Sequence, residues 1–296
     1  MNVDVLGPIR DVFSDKAYVM RRNALSARTI TPETVFQEAN VRNRELIHEM
    51  LDQLLLPGSA VVGADHLADL YERSRAGSPC LILMEHYSNF DIPCLYYLLG
   101  AMGRRDIADA IVAIAGMKLS EESDFVNAFA EAYTRIVIYP SRSLSRIPDP
   151  DLLAQERVRA NHINMAATRT MIRVKHHGSI ILVFPAGTRY REGQPDTKRG
   201  VKEVDSYLKS FETMVLIASA GNVLRIDPAG DMSRDLAARD VVILNVSPPI
   251  DCLAFRDRAR ATTPAGVDPK QHAADSGMAE LDRLHQEAFA LRGRAL

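Results

Sequence analysis

The chain is predicted to fold as an α/β protein in which helices flank a mostly parallel central sheet. The alternation of segment types predicts this class, and the composition indicates a chain that folds around a core. From about residue 59 onward, short apolar runs alternate with longer amphipathic segments, as in units whose parallel strands are joined by helices. The 296 residues are 47% hydrophobic and 25% charged, which is ordinary for a globular protein that buries a sizeable core.

Each apolar run predicts a strand and each amphipathic segment a helix. The predicted strands cover 79–84, 109–115, 134–138, 179–184, 214–218, 223–226 and 240–246. The predicted helices lie near 65–76, 92–102, 120–132, 150–176, 202–212 and 269–291. The polar, alanine-rich stretch 257–276 predicts a surface loop.

Residues 1–58 are predicted to form a small N-terminal helical unit ahead of an α/β domain that takes residues 59–296. Thr31 is suited to cap a helix that begins at Pro32. Apolar side chains at helical spacing follow from Leu46 to Leu55, and Pro57-Gly58 ends the segment.

Charge and apolar length exclude several classes of protein. The net charge of -2 gives no overall basic field, so no nucleic-acid partner is expected. Cys80, Cys94 and Cys252 are too few and too unpaired for a disulfide framework, and we expect buried thiols. No apolar segment reaches the roughly 20 residues of a membrane span. We therefore expect a cytoplasmic protein, either soluble or peripheral to the inner face of the membrane.

The first candidate site follows the predicted strand 79–84. The sequence EHYSNFD, which contains His86 and Asp91, separates this strand from the next helix. Ligands of parallel sheets bind beyond the carboxyl ends of the strands. A histidine held by a carboxylate at one ring nitrogen can act as a general base through the other. Two plainer interpretations stay open: Asp91 caps the helix, and His86 is an ordinary loop residue.

The second candidate site is the loop FPAGTRYREGQPDTKRG, which follows the predicted strand 179–184. Gly187 lets the backbone approach a ligand closely, and Arg189 carries a planar guanidinium suited to phosphate oxygens. Arg191, Lys198 and Arg199 add positive charge. A solvated loop with structural arginines is the alternative. Walker A and H-E-x-x-H patterns do not occur, so we expect no metal.

The two motifs together resemble those of the glycerolipid acyltransferases. HYSNFD is similar to the His-x4-Asp motif of that family, and FPAGTRYREG is similar to its F-P-E-G-T-R-x-R block about 100 residues downstream. The resemblance covers roughly residues 59–250. It implies that His86 is the general base and that Asp91 is its partner. The implied ligands of the acceptor's phosphate are Gly187, Thr188, Arg189, Arg191, Lys118, Arg142, Lys198 and Arg199.

Two positions depart from the family pattern. Ala186 replaces the glutamate of the second motif, and Glu85 replaces the asparagine that commonly precedes the histidine. Such variation, together with the helical N-terminal unit, resembles the soluble glycerol-3-phosphate acyltransferases most. The resemblance implies that an acyl chain passes from acyl-CoA or acyl carrier protein to the sn-1 hydroxyl of glycerol-3-phosphate, giving lysophosphatidate, with no other cofactor. The alternatives are a lysophosphatidate acyltransferase, a hydrolase with the same His-Asp pair, and a non-catalytic protein that binds lipid or acyl carrier.

Overall fold

The computed structural model describes residues 4–24, 29–121, 123–145, 147–227 and 229–295. The strands are β1 (Asp4–Pro8), β2 (Phe36–Gln37), β3 (Ala60–Val62), β4 (Cys80–Met84), β5 (Ile111–Gly116), β6 (Arg135–Ile138), β7 (Ile180–Val183), β8 (Thr213–Ala220), β9 (Leu224–Arg225), β10 (Leu236–Arg239), β11 (Ile243–Val246) and β12 (Ile250–Asp251). The helices are α1 (Ile9–Val12), α2 (Ser14–Asn23), α3 (Val41–Leu54), α4 (Ala64–Arg75), α5 (Asp91–Ala101), α6 (Arg105–Ala110), α7 (Lys118–Glu121), α8 (Asp124–Ala130), α9 (Ser141–Leu144), α10 (Pro150–Lys175), α11 (Val204–Ser210), α12 (Cys252–Ala261) and α13 (Pro269–Ala295).

The central sheet has the strand order β2-β6-β5-β7-β4-β8-β11-β3, with β12 beside β8. The five strands from β6 to β8 pair in parallel, while β2 and β11 pair antiparallel at either side of them. A smaller sheet has the order β1-β10-β9. The predicted α/β class with a mostly parallel central sheet is therefore confirmed.

The central sheet separates two hydrophobic cores, because alternate residues of a strand point to opposite faces. In β4, Ile82 and Met84 belong to one core and Leu81 and Leu83 to the other. Helices α3, α4, α5 and α6 cover the first face, and α10, α11, α12 and α13 cover the second. Each fully buried leucine or isoleucine contributes about 1.5–3 kcal/mol relative to exposure. Both faces of the sheet are thus stabilised by burial, which leaves its ends available for ligands.

The crossover helix α10 shows why local sequence predicted much of the fold. Asp149 caps the helix, since its side chain accepts the N–H groups of Asp151 and Leu152 at 2.9 and 3.0 Å, and Pro150 fits the first turn. The loop predicted over 257–276 is wrong: α12 continues to Ala261 and α13 begins at Pro269. Burial of Ala259 against the second core outweighs the polar composition of that stretch.

The N-terminal segment differs from the prediction. The helix begins at Val41 with Asn40 as its cap, and not at Pro32. Residues 36–37 instead extend the central sheet by pairing with β6. Asn40 is held in place by its own contact with Glu131 at 2.8 Å. Because β1 pairs with β10, residues 4–58 contribute strands to both sheets, and their division from residues 59–296 stays a prediction.

Two expectations about composition can be compared with the structure. Cys80, Cys94 and Cys252 are buried free thiols, as predicted. Burial raises the pKa of Cys80 and of Cys252 to about 12, so neither is a reactive thiolate at neutral pH. Among the described residues, no helix has the length and apolar character that crossing a membrane requires.

Candidate active site

One loop brings His86 and Asp91 together at the carboxyl end of β4. Asp91 is the first residue of α5, and its carboxylate turns back toward the loop. Its Oδ2 accepts the N–H groups of Tyr87 and Ser88, each at 2.9 Å, and lies 2.9 Å from His86 Nδ1. Asp91 therefore orients the imidazole and holds the loop around it, instead of capping α5.

The imidazole of His86 is also held on its flat face. The ring of Phe184, which directly follows β7, stacks on it with a centroid distance of 3.8 Å and an interplanar angle of 11°. The side chain of His86 remains 17% exposed, whereas that of Asp91 is 5% exposed. With Nδ1–H donated to Asp91, Nε2 is the nitrogen that can accept a proton. This arrangement has the chemistry of a general base.

The loop after β7 is joined to the His86 loop by the main chain. The N–H of Tyr190 donates to the carbonyl of His86 at 2.7 Å. Gly187 has φ of +64°, a conformation that favours glycine, and its N–H closes a turn onto the carbonyl of Phe184 at 2.9 Å. Residues of both loops, including His86 and Ala186, line one cavity. The two motifs therefore form a single site.

Arg189, the arginine of the second motif, is buried in an ion pair. Its Nη1 donates to Asp235 Oδ2, and the two side chains are 5% and 0% exposed. The other oxygen of Asp235 accepts the N–H of Asp227 at 2.9 Å, and Asn89 Nδ2 approaches Oδ2 at 3.4 Å. Burial raises the pKa of the Asp235 carboxyl, and the adjacent Arg189 opposes that rise. Arg189 thus connects its loop to the small sheet, while Asn89 connects the His86 loop to the same carboxylate.

Arg191 lies nearer the loop surface. Its N–H donates to Thr197 Oγ1 at 2.9 Å, and its Nη1 donates to Thr188 Oγ1 at 3.3 Å. Within the part of the chain that the structure describes, no carboxylate pairs with Arg191. Its positive charge therefore stays uncompensated in the same loop as the exposed Gly187.

The C-terminal helix α13 engages two further predicted cations. Lys198 Nζ lies 2.5 Å from Asp282 Oδ1, and Arg199 Nε lies 3.7 Å from Asp275 Oδ1. Lys198 also lines the cavity beside His86. The carboxylates of α13 therefore offset part of the positive charge of the second loop.

Lys118 and Arg142 lie on the same edge of the sheet but farther from His86. Lys118 begins α7 directly after β5, and Arg142 lies in α9 after β6. Both side chains are exposed. β5 is two strands and β6 three strands away from β4, and neighbouring strands are about 4.8 Å apart. The sheet order thus separates Arg142 from both loops, whereas Lys118 follows the strand that pairs directly with β7 and lies farther only from the His86 loop.

A comparison of the sequence with models of protein families shows the family to which the chain belongs. The family model described as acyltransferase matches residues 66–214, which is half of the chain. The chain belongs to the acyltransferase family. The matched residues of this acyltransferase contain both loops of the site. A search of curated proteins gives no match.

A second imidazole–carboxylate pair borders the site of this acyltransferase. Glu85 is 3% exposed, and its Oε2 accepts the N–H of Ser219 at 3.0 Å and lies 2.9 Å from His285 Nδ1. The ring of Tyr87 stacks on His285 at 5.3 Å. Burial, reinforced by the charge of Glu85, raises the pKa of Tyr87, so the phenol stays protonated and donates to Glu85 Oε1 at 3.4 Å.

The partners Asp235 and His285 were not predicted from the sequence. Both lie beyond the matched residues 66–214, and their partners are 46 and 200 positions away in the chain. Glu85 offers one usable signal, because a carboxylate directly after a fully buried strand requires a partner. Nothing in the local sequence of α13 identifies that partner.

Proposed function

We propose that this acyltransferase moves an acyl chain from a thioester, acyl-CoA or acyl carrier protein, to the sn-1 hydroxyl of glycerol-3-phosphate. The product is lysophosphatidate. The observation that carries the proposal is the 2.9 Å contact of His86 Nδ1 with Asp91 Oδ2 in the loop that is joined to the second motif. That contact leaves Nε2 as a base beside a cavity that both loops line.

In the proposed mechanism, His86 acts on the acceptor and not on the thioester. Nε2 accepts the hydroxyl proton while the hydroxyl oxygen attacks the thioester carbonyl, and Asp91 stabilises the imidazolium that forms. Collapse of the tetrahedral intermediate forms the ester, breaks the carbon–sulfur bond and returns the proton from Nε2 to the departing thiolate. General-base assistance of this kind contributes about 10²–10⁴ in rate, and correct placement of two bound substrates adds to it.

We propose that Arg191 makes the main charged contact with the acceptor's phosphate. It is the cation of the second loop that has no carboxylate partner among the described residues, and it lies beside Gly187 and Thr188. Arg189 supports that loop through its buried pair with Asp235. Lys198 lies on the cavity wall but shares its charge with Asp282.

The remaining predicted cations have weaker support as phosphate ligands. Arg199 lies near Asp275, and its side chain is 62% exposed. Arg142 follows β6, which is two strands from β7, while Lys118 follows β5, which lies beside β7 but two strands from β4. We expect these three to affect the rate at which the acceptor is attracted more than its bound position, and this effect should weaken as salt is raised, because long-range attraction between exposed charges is screened.

An acceptor panel tests this proposal. The parent protein is incubated with one labelled acyl-thioester and with glycerol-3-phosphate, lysophosphatidate or no acceptor. We expect labelled lysophosphatidate with the first acceptor, and loss of turnover in His86→Ala but not in the control His176→Ala, whose ring is exposed at the end of α10. Labelled phosphatidate would indicate the second acylation instead. Free fatty acid without acceptor would indicate a hydrolase, and binding without turnover a non-catalytic protein.

A further inference from the structure

The outer face of α10 exposes apolar side chains in a regular row. Val158, Met165 and Ile172 are 56%, 52% and 51% exposed, although the opposite face of the helix is buried against the second core. They recur every seven residues, so they lie on one side of the helix and span about 21 Å along its axis. Exposed apolar residues are ordinary when scattered, but a row on one helix face indicates a contact surface.

The same face carries positive charge. Arg157, Arg169 and Arg173 are exposed, and among the described residues no hydrogen bond or ion pair engages their guanidinium groups. Residues 157–177 contain no aspartate or glutamate at all, whereas the whole chain has a net charge of -2. The three apolar and three arginine side chains together are called the docking face below.

We propose that the docking face binds the surface of an anionic lipid bilayer. Guanidinium groups attract anionic headgroups, and apolar side chains between them can enter the boundary of the acyl chains. A second copy of this chain is a poor partner, because the two faces would bring arginines against arginines. A rigid protein is also less suited, since it needs a contiguous apolar centre, while these apolar side chains stand about 10 Å apart along the helix.

The topology relates the docking face to the candidate active site. α10 connects β6 to β7, and both strands run parallel in the central sheet. The helix therefore runs back across the sheet, and its N-terminal turn lies toward the edge where the strands end and where His86 is found. Leu152 in that turn is 47% exposed. A bilayer bound along α10 would lie beside the edge of the sheet that holds the site.

Vesicle sedimentation tests the docking face. Vesicles of equal parts phosphatidylglycerol and phosphatidylcholine are compared with vesicles of phosphatidylcholine alone. We expect the parent protein to sediment with the anionic vesicles only, and less as salt is raised. In R157Q/R169Q/R173Q the affinity for anionic vesicles should fall about 100-fold, since each arginine near an anionic surface contributes about fivefold. V158S/M165S/I172S should also bind more weakly.

The matched control removes the same charge elsewhere. R21Q/R42Q/R258Q replaces three exposed arginines outside α10 and should bind like the parent protein. Unchanged thermal unfolding of all variants would show that only the surface has changed, as expected for exposed positions. The proposal is overturned if the parent protein binds no anionic vesicle, if it binds both vesicle types equally, or if the two arginine variants lose affinity equally. If the parent protein binds no vesicles, and R157Q/R169Q/R173Q loses activity with acyl carrier protein as the acyl donor, the face would be assigned to an acidic protein instead.

Discussion

Replacement of Asp91 by asparagine separates the charge of the His86–Asp91 pair from its geometry. The Oδ2 atom accepts two backbone N–H groups and the imidazole, all at 2.9 Å. An asparagine carbonyl in the same place can still accept the N–H groups of Tyr87 and Ser88, so we expect the loop and the stability of the fold to be retained. What Asp91→Asn removes is the negative charge that stabilises a protonated His86.

The expected loss of rate follows from the electrostatic attraction between the Asp91 carboxylate and a protonated His86. Two unit charges about 4 Å apart attract by about 4 kcal/mol at an effective dielectric constant of about 20. In the proposed mechanism the imidazolium forms as the acceptor is deprotonated, so this attraction would lower the barrier. A loss of about 4 kcal/mol slows the step about 1000-fold. We therefore expect kcat of Asp91→Asn to fall by about this factor while the KM of the acceptor changes little.

The assay is thiol release from the acyl-thioester at saturating acceptor, followed for the parent protein and for Asp91→Asn. Asp106→Asn is the matched control, since Asp106 also lies in the first turn of a helix but is 44% exposed and pairs with Arg104. We expect the control to keep full activity. If Asp91→Asn kept a kcat within about tenfold of the parent value, the assignment of Asp91 as the electrostatic partner of His86 would be refuted.

Two further predictions concern stability. Asp235→Ala leaves the guanidinium of Arg189 buried without its carboxylate, so the free energy of unfolding measured with urea should fall by about 3–5 kcal/mol. The control Asp231→Ala removes an exposed carboxylate and should lower this free energy far less. Equal losses for the two variants would contradict the role of the buried pair. Burial lowers the pKa of His48 to about 4 from 6.5, so below about pH 6.5 the unfolded chain takes up this proton first and stability falls. Between about pH 7 and about pH 5 the parent protein should lose about 1 kcal/mol more than His48→Gln, since solvent screening reduces the effect at this partly exposed group, and equal losses for the two would show that His48 does not titrate in this way.

The fold was predictable where local pattern and tertiary burial agree. The continuous apolar run Leu81–Met84 is a strand with both faces buried, and α10 carries its own capping aspartate and proline. The prediction was wrong at Pro32, where a plausible helix start lost to strand pairing of residues 36–37 with β6. It was also wrong over 257–276, where a few buried side chains fix helices in a polar stretch.

The sequence by itself determined that the loops with the His-x4-Asp motif and the arginine-containing motif follow two strands of a mostly parallel sheet, because strands and motifs are local patterns of neighbouring residues. It also placed His86 and Asp91 close enough for one loop to join them. Only the tertiary structure decided which groups neutralise or support those loops. The burial of Arg189 on Asp235 and of Glu85 on His285 depends on residues 46 and 200 positions away in the chain. Buried charges must find partners wherever the packing of the sheet and helices brings one within reach, and the spacing of residues along the chain does not record that choice.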